Sequence, residues 1–228
     1  DLMLSGGGND SVGGCAGNDT AFAGTGNDVV AGGGGDDLLY SGKGSDLVDG
    51  GDGNDVVSGD KGNDILFGSL GNDTAYGGQN EDIVNGGDGN DSLFGGKGND
   101  TVDGGTGDDF ISGDRGNDVL IGGAGRDTFY FASAGGDYGI DTITDFTPND
   151  DKIRLKAGGA FAGLGSSFEA SEFVVDAAFT GSPTANTTNK LVYNPTSGFL
   201  YFNSGSGVLT VAQLQTGLNI TSSNFELF

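Results

Sequence analysis

Aspartate returns at every ninth residue along most of the first 130 residues of this chain, and no other feature limits the possible folds so tightly. The series is Asp1, Asp10, Asp19, Asp28, Asp37, Asp46, Asp55, Asp64, Asp73, Asp82, Asp91, Asp100, Asp109, Asp118 and Asp127, without a slip. Each stands in a Gly-Gly-x-Gly-Asn-Asp-x-apolar-x frame, of which GGKGNDTVD (residues 95–103) is a clean copy. The apolar step two residues after the aspartate is Val12, Ala21, Val30, Leu39, Val48, Val57, Leu66, Ala75, Val84, Leu93, Val102, Ile111, Leu120 and Phe129. One apolar residue in nine is too sparse for a helix face, and so many glycines exclude a helix. What remains is a six-residue turn and a three-residue strand whose middle side chain points inward. Two such repeats make one eighteen-residue coil of a parallel solenoid. Fourteen complete repeats give seven coils, a stack of roughly 30 to 35 Å at about 4.8 Å per strand.

Such a stack lacks an adequate driving force of its own. The chain has 49 glycines and a net charge of −24, so folding costs much backbone entropy and crowds carboxylates together. Each coil buries two apolar side chains, worth about 1.5 to 3 kcal/mol apiece, against the ordering of eighteen residues. Turn chemistry alone does not account for a sixth position that is never Asn, Ser or Gly. Bridging divalent cations do: Ca²⁺ takes about six to eight oxygen ligands in tolerant geometry, and carboxylates with carbonyls on glycine-rich turns supply them.

Other classes fall away. Nine Lys and Arg against 33 acidic residues argue against nucleic acid or an anionic membrane as a direct partner. The absence of His removes Ser-His-Asp, Cys-His and His-ligated zinc chemistry. Carboxylates equivalent in every repeat do not suit one acid and one base tuned apart, so no enzyme is expected. Cys15, the single cysteine, forms no intramolecular disulfide and reads as a small turn residue. No stretch approaches the roughly 20 apolar residues of a membrane helix, and no classical signal peptide is visible. The chain opens in the middle of a repeat, which reads as a piece of something longer.

GGKGNDTVD and its neighbours resemble the GGxGxDxUx nonapeptide of the RTX (repeats-in-toxin), or haemolysin-type, calcium-binding family. The resemblance implies an all-β, right-handed parallel β-roll over residues 1–130. It places Ca²⁺, roughly a dozen ions, between turns on the same side, held by repeat aspartates of successive coils and by carbonyls. One edge would carry Asp10, Asp28, Asp46, Asp64, Asp82, Asp100 and Asp118; the other Asp1, Asp19, Asp37, Asp55, Asp73, Asp91, Asp109 and Asp127. Sites near residues 69–82 are expected to be weaker, because Asn80 replaces a glycine and Ser69 and Leu70 intrude. Asp60 and Asp114, each beside a cation (Lys61, Arg115), are expected to form solvated local pairs rather than ligands.

After Phe131 the phase stops, and residues 131–228 read as a small β-rich cap closing the open end. GIDTITDFTPNDDKIRL reads as strand, turn, strand; NKLVYNPTSGFLYFNSGSGVLTVAQL reads as a hairpin turning at Pro195–Gly198, then a further strand. The ITDF stretch and the terminal SSNFELF are similar to the closing segment and type I secretion signal of secreted RTX proteins. Two outward columns stand at eighteen-residue spacing: Val29, Leu47, Ile65, Ile83 and Val119; and Phe22, Tyr40, Tyr76, Phe94 and Tyr130, interrupted by Ser58 and Ser112. The expectation is a secreted, extracellular or cell-surface calcium-binding module with a structural or adhesive role. Its partners would be calcium, the type I secretion apparatus, and cell-surface polysaccharide or neighbouring copies of itself. The alternative is the non-catalytic C-terminal part of a larger secreted protease, lipase or polysaccharide epimerase.

Overall fold

The computed structural model describes residues 1–133, 138–161, 163–164, 169–181, 187, 189–204 and 207–228. Its strands alternate between two sheets. The ten-stranded sheet runs β1 (Leu2–Gly7), β3 (Thr20–Thr25), β5 (Leu38–Lys43), β7 (Val56–Ser58), β9 (Thr74–Gln79), β11 (Ser92–Lys97), β13 (Phe110–Arg115), β15 (Thr128–Phe131), β17 (Lys152–Leu155), β22 (Phe225–Leu227). The twelve-stranded sheet runs β2 (Ser11–Ala16), β4 (Val29–Gly34), β6 (Leu47–Asp52), β8 (Ile65–Leu70), β10 (Ile83–Asp88), β12 (Thr101–Thr106), β14 (Val119–Ala124), β16 (Asp141–Ile143), then β21 (Val208–Gln213), β20 (Phe199–Asn203), β19 (Lys190–Tyr193) and β18 (Phe173–Val175). The fold is an all-β parallel solenoid; helix among the described residues amounts to short 3₁₀ turns such as Gly159–Phe161, Ala170–Glu172 and Ser222–Asn224.

Pairing through the repeats is parallel and offset by eighteen residues, as Ala21 opposite Leu39 and Val84 opposite Val102 show. From Ala21 to Phe129 each apolar step points into the core and is at most 1% exposed. Most of these strands are six residues long rather than three. The Gly-Gly-x turns stack in the same register, Gly24 on Gly42 and Thr25 on Lys43, so the backbone ladder runs on past the apolar step. Each strand therefore has two inward positions, the apolar step and the first glycine of the turn, as in the buried Leu93 and Gly95 of β11. Turn glycine is a steric requirement where coils touch. A Cβ on Gly62, at φ +128°, would lie 1.5 Å from the carbonyl oxygen of Gly44.

Beyond Phe131 both sheets continue at longer spacing. β16 lies on β14 and β17 on β15, with Ile143 opposite Leu120 and Ile153 opposite Phe129. Phe146 packs on Phe129 with ring centroids 6.0 Å apart. The hairpin β19–β20 turns through Pro195–Gly198 as its sequence indicates, with Asn194 Oδ1 accepting from the N–H groups of Thr196 and Ser197. Its antiparallel neighbour β21 then joins β16 in parallel. Tyr193, Phe161 and Phe202 are fully buried here, so the larger apolar side chains gather at this end of the roll.

Replacing Leu93, fully buried, by Ala is expected to lower the unfolding free energy in calcium buffer by about 2 to 5 kcal/mol. Ile83→Ser, at an outward position 48% exposed, is expected to change it by less than about 0.5 kcal/mol. Urea denaturation checks this, and equal losses would contradict the inward and outward assignment.

Candidate metal centre

The two edges of the roll carry the repeat aspartates in columns. Asp10, Asp28, Asp46, Asp64, Asp82, Asp100 and Asp118 immediately precede strands of the twelve-stranded sheet, and Asp1, Asp19, Asp37, Asp55, Asp73, Asp91, Asp109 and Asp127 precede strands of the other. From Asp19 onward all thirteen are at most 4% exposed. One carboxylate oxygen has the same task throughout: Oδ1 accepts the backbone N–H of the aspartate one coil earlier. Examples are Asp64 N–H to Asp82 Oδ1 at 2.8 Å and Asp73 N–H to Asp91 Oδ1 at 2.7 Å. Asp1 and Asp10 differ. Asp1 is exposed and its amino group takes Asp19 Oδ1 at 2.6 Å, while Asp10 Oδ2 accepts from the Ser5 hydroxyl at 2.9 Å.

The second oxygen is the informative one. Oδ2 of Asp19, Asp28, Asp37, Asp46, Asp55, Asp64, Asp73, Asp82, Asp91, Asp100, Asp109 and Asp118 is buried without a hydrogen-bond partner. It faces another acceptor. The point where a Cβ on Gly32 would sit is 2.1 Å from Asp37 Oδ2 and 2.5 Å from the carbonyl oxygen of Gly50, in the next coil. The sum of those distances, 4.6 Å, bounds the separation of the two oxygens. The pattern recurs: Asp55 with Gly68, Asp73 with Gly86, Asp91 with Gly104 and Asp109 with Gly122 on one edge, Asp64 with Gly77 and Asp82 with Gly95 on the other. A buried, unpartnered carboxylate oxygen this close to a second acceptor needs a proton or a cation beside it.

The donor set is all oxygen, as a hard cation of the calcium type requires. Among the described residues no point gathers three Asp, Glu, Cys or His side chains. A cation here would thus combine a few carboxylates with turn carbonyls, and Ca²⁺ fits that mixture with its high and flexible coordination number. The carboxyls are also held ready for a proton. Burial pushes Asp64, Asp73, Asp82, Asp100 and Asp109 up to about 7, and Asp55, Asp118 and Asp127 to about 6. The backbone N–H bond opposes burial, and neighbouring carboxylates such as Asp46 beside Asp64 reinforce it.

Several functional groups lie outside the nine-residue phase. Asp141 Oδ1 accepts the N–H of Asp118 at 3.1 Å, and Asp151 Oδ1 that of Asp127 at 3.0 Å, so each edge gains one more aspartate. Both keep the Asp-x-apolar step, Asp141-Thr-Ile143 and Asp151-Lys-Ile153, and that was the available signal. Asp145 of ITDF accepts the N–H groups of Gly122 and Gly123 with its two oxygens and so caps the last glycine turn. The asparagine before the aspartate also has a role: Asn54 Oδ1 accepts the N–H of Asn72, and Asn72 Oδ1 that of Asn90, one coil later. This ladder runs opposite to the aspartate one.

The departures from the motif leave the aspartates in place. Ser69 and Asn80 both adopt φ of 83°, yet the Asp64–Asp82 and Asp73–Asp91 bonds keep ordinary lengths, so the irregularity is confined to the turn backbone. Asp60 and Asp114 do not pair with the adjacent cations. Each accepts a hydroxyl from the serine two residues earlier, Ser58 at 2.8 Å and Ser112 at 2.7 Å.

The RTX calcium-binding nonapeptide repeat family matches residues 13–48, 42–75, 49–84, 76–111 and 103–133. Among solved structures, the AlgE6R3 subunit of the Azotobacter vinelandii mannuronan C5-epimerase matches with 27% identity, over 68% of this chain and 77% of that one, at a TM-score of 0.28. No curated protein matches.

Acid should stabilise the calcium-free roll. An unfolded aspartate titrates near 3.8, whereas burial pushes Asp55, Asp64, Asp73, Asp82, Asp100, Asp109, Asp118 and Asp127 up to about 6 or 7, so the folded chain holds more protons in between. This contribution is full below pH 4 and is lost as pH rises through 7. Circular dichroism in chelator should therefore show more β signal at pH 5 than at pH 8, and the calcium midpoint should be higher at pH 5, where protons compete. The opposite order in both would contradict the account.

Proposed function

Since the chain belongs to the RTX calcium-binding nonapeptide repeat family, we propose that it is a secreted module that folds on binding extracellular Ca²⁺ and then serves a structural, surface or adhesive role. The observation that supports this most directly is the column of buried Oδ2 atoms, which at Asp19, Asp37, Asp55, Asp64, Asp73, Asp82, Asp91, Asp100 and Asp109 lie close to a glycine carbonyl of the next coil. Each of these nine aspartates thereby touches three coils: its own, the one whose N–H it accepts, and the one whose carbonyl it lies beside. Bound Ca²⁺ would supply positive charge to these acceptor pairs and replace their protons. Asp19 through Asp118, with the carbonyls of the first turn glycines, would hold the ions, and roughly a dozen would offset the −24 charge.

The reading is non-catalytic, because the same site recurs along both edges and no single carboxylate is set apart. Calcium at the roughly 10⁻⁴ to 10⁻³ M used by extracellular modules would drive folding outside the cell, whereas submicromolar cytosolic calcium leaves an acidic, glycine-rich chain open for export. A type I channel suits such a chain. Within the terminal SSNFELF, Ser222–Asn224 form a 3₁₀ turn and Phe225–Leu227 form β22 beside β17. No helix among the described residues is long and apolar enough to cross a membrane. Two outward columns remain for partners, such as cell-surface polysaccharide or other copies of the chain. They are the aliphatic Val29, Leu47, Ile65, Ile83 and Val119, each 38 to 48% exposed, and the aromatic column of the other sheet.

A calcium titration of the chelated chain at neutral pH, followed by far-UV circular dichroism, tests the proposal. The expected result is a cooperative gain of β signal with a midpoint near extracellular calcium levels and a much weaker response to Mg²⁺, which demands smaller octahedral sites. Full β signal in chelator with no response to calcium would overturn it.

A further inference from the structure

The eighteen-residue register aligns the third turn position of alternate repeats, and on one edge that column is basic. Thr25, Lys43, Lys61, Gln79, Lys97 and Arg115 lie on successive coils in direct register. Four of the nine Lys and Arg of the whole chain thus form one exposed line. The equivalent column on the opposite edge reads Gly34, Asp52, Leu70, Asp88, Thr106 and Ala124, with no cation. Beside the basic line runs the aromatic column, in which Phe22 stacks on Tyr40 and Tyr76 on Phe94, each pair with centroids 5.1 Å apart.

That column breaks at two places three coils apart, and the same group fills both. Ser58 and Ser112 replace the aromatic residue, each donates to an aspartate, and each aspartate precedes a cation, giving Ser58-Asp60-Lys61 and Ser112-Asp114-Arg115. Open depressions lie over both. One of about 310 Å³ is lined by Gly24, Gly42, Lys43, Asp60, Lys61 and Gln79. The other, of about 380 Å³, is floored by Gly78 and Gly96 and bordered by Lys97, Asp114 and Arg115, with the guanidinium 5.7 Å from the Tyr138 ring centre.

We infer that this edge is a binding groove for a linear anionic polysaccharide whose sugars carry both carboxylates and free hydroxyls. The line offers one position per coil, about 4.8 Å apart and comparable with one pyranose ring, and four of the five from Lys43 to Arg115 are cations, with Gln79 between them. Asp60 and Asp114 accept hydroxyls at the two niches, a contact that a nucleic acid backbone, with an anionic phosphate there, would meet as repulsion. The aromatic residues stack in pairs along the column, Phe22 on Tyr40 and Tyr76 on Phe94. The inference deepens the proposed surface role and rests on it, since ion-loaded aspartates are what allow a chain of −24 net charge to receive a polyanion. Among the described residues, Glu81, one residue before Asp82, is the remaining acidic residue on this edge outside the aspartate column and the two niches.

The test is calorimetric titration of hexagalacturonate into the full chain in calcium, with circular dichroism recorded on the same samples. Neutral maltohexaose, inorganic polyphosphate and single-stranded DNA serve as comparison ligands. The expected result is salt-sensitive hexagalacturonate binding, about tenfold or more weakened in Lys61→Gln/Lys97→Gln/Arg115→Gln, with an unchanged calcium-induced β signal. Asp60→Asn/Asp114→Asn should weaken hexagalacturonate binding and strengthen polyphosphate binding. A folded protein that ignores hexagalacturonate, or a triple variant that binds it undiminished, overturns the groove and leaves the calcium reading standing. Tighter binding of polyphosphate or DNA than of hexagalacturonate to the unaltered chain overturns the ligand class. A chain that stays unfolded in calcium overturns both readings.

Discussion

A buried carboxylate oxygen that faces a carbonyl oxygen has no hydrogen to share with it, and the roll repeats that contact along both edges. In water each acceptor would be hydrated; between coils the carboxylate oxygen is buried without a hydrogen-bond partner. The contact is tolerable only when a positive centre lies between the oxygens, and the rest of the architecture depends on that condition. The first turn position is mostly glycine because a Cβ there would collide with the same two oxygens, at 2.5 Å from Asp64 Oδ2 and 2.7 Å from the Gly77 carbonyl for Gly59. The carboxyls are poised toward protonation because burial penalises their charge, which makes proton and calcium rivals for one place. Glycine content, acid response and calcium dependence are then consequences of one interaction.

The apolar core plays the secondary part in the repeats. Leu39, Leu66, Leu93 and their counterparts are fully buried, but there are only two per eighteen-residue coil. They set register and decide which way each strand faces, since a one-residue slip would turn the whole column outward. The C-terminal end works differently. There Tyr193, Phe161, Phe202 and Phe129 lie in a conventional core, and Asp145 closes the last turn without relying on a further coil. A solenoid needs such an end, because its terminal coil otherwise presents an unpaired ladder.

The aspartate columns, the inward apolar steps and the parallel stacking were legible in the sequence because strict periodicity forces equivalent residues into equivalent places. What escaped the nine-residue reading had physical reasons. The six-residue strands arise from hydrogen bonds between stacked glycine turns, and glycine carries no strand signal of its own. Asp141 and Asp151 follow insertions that move them to offsets of 23 and 24 residues, so they drop out of phase while keeping their spatial place. Asp60 and Asp114 looked like partners of Lys61 and Arg115 by adjacency, yet with left-handed backbone at both, φ 66° and 68°, each accepts from the serine two residues earlier. The basic line appears only at a period of eighteen, because the intervening repeats, on the other edge, carry Gly, Asp, Leu or Thr at that position.

The most direct test of the central claim is a crystal structure of the calcium-soaked chain with anomalous scattering recorded at long wavelength, where calcium contributes strongly. The account requires peaks in two rows, one per edge, each within about 2.3 to 2.6 Å of an aspartate Oδ2 and of a glycine carbonyl from the next coil, as at Asp37 with Gly50 and Asp64 with Gly77. Peaks confined to exposed carboxylates such as Asp36 and Asp52, with the buried pairs empty, would contradict it.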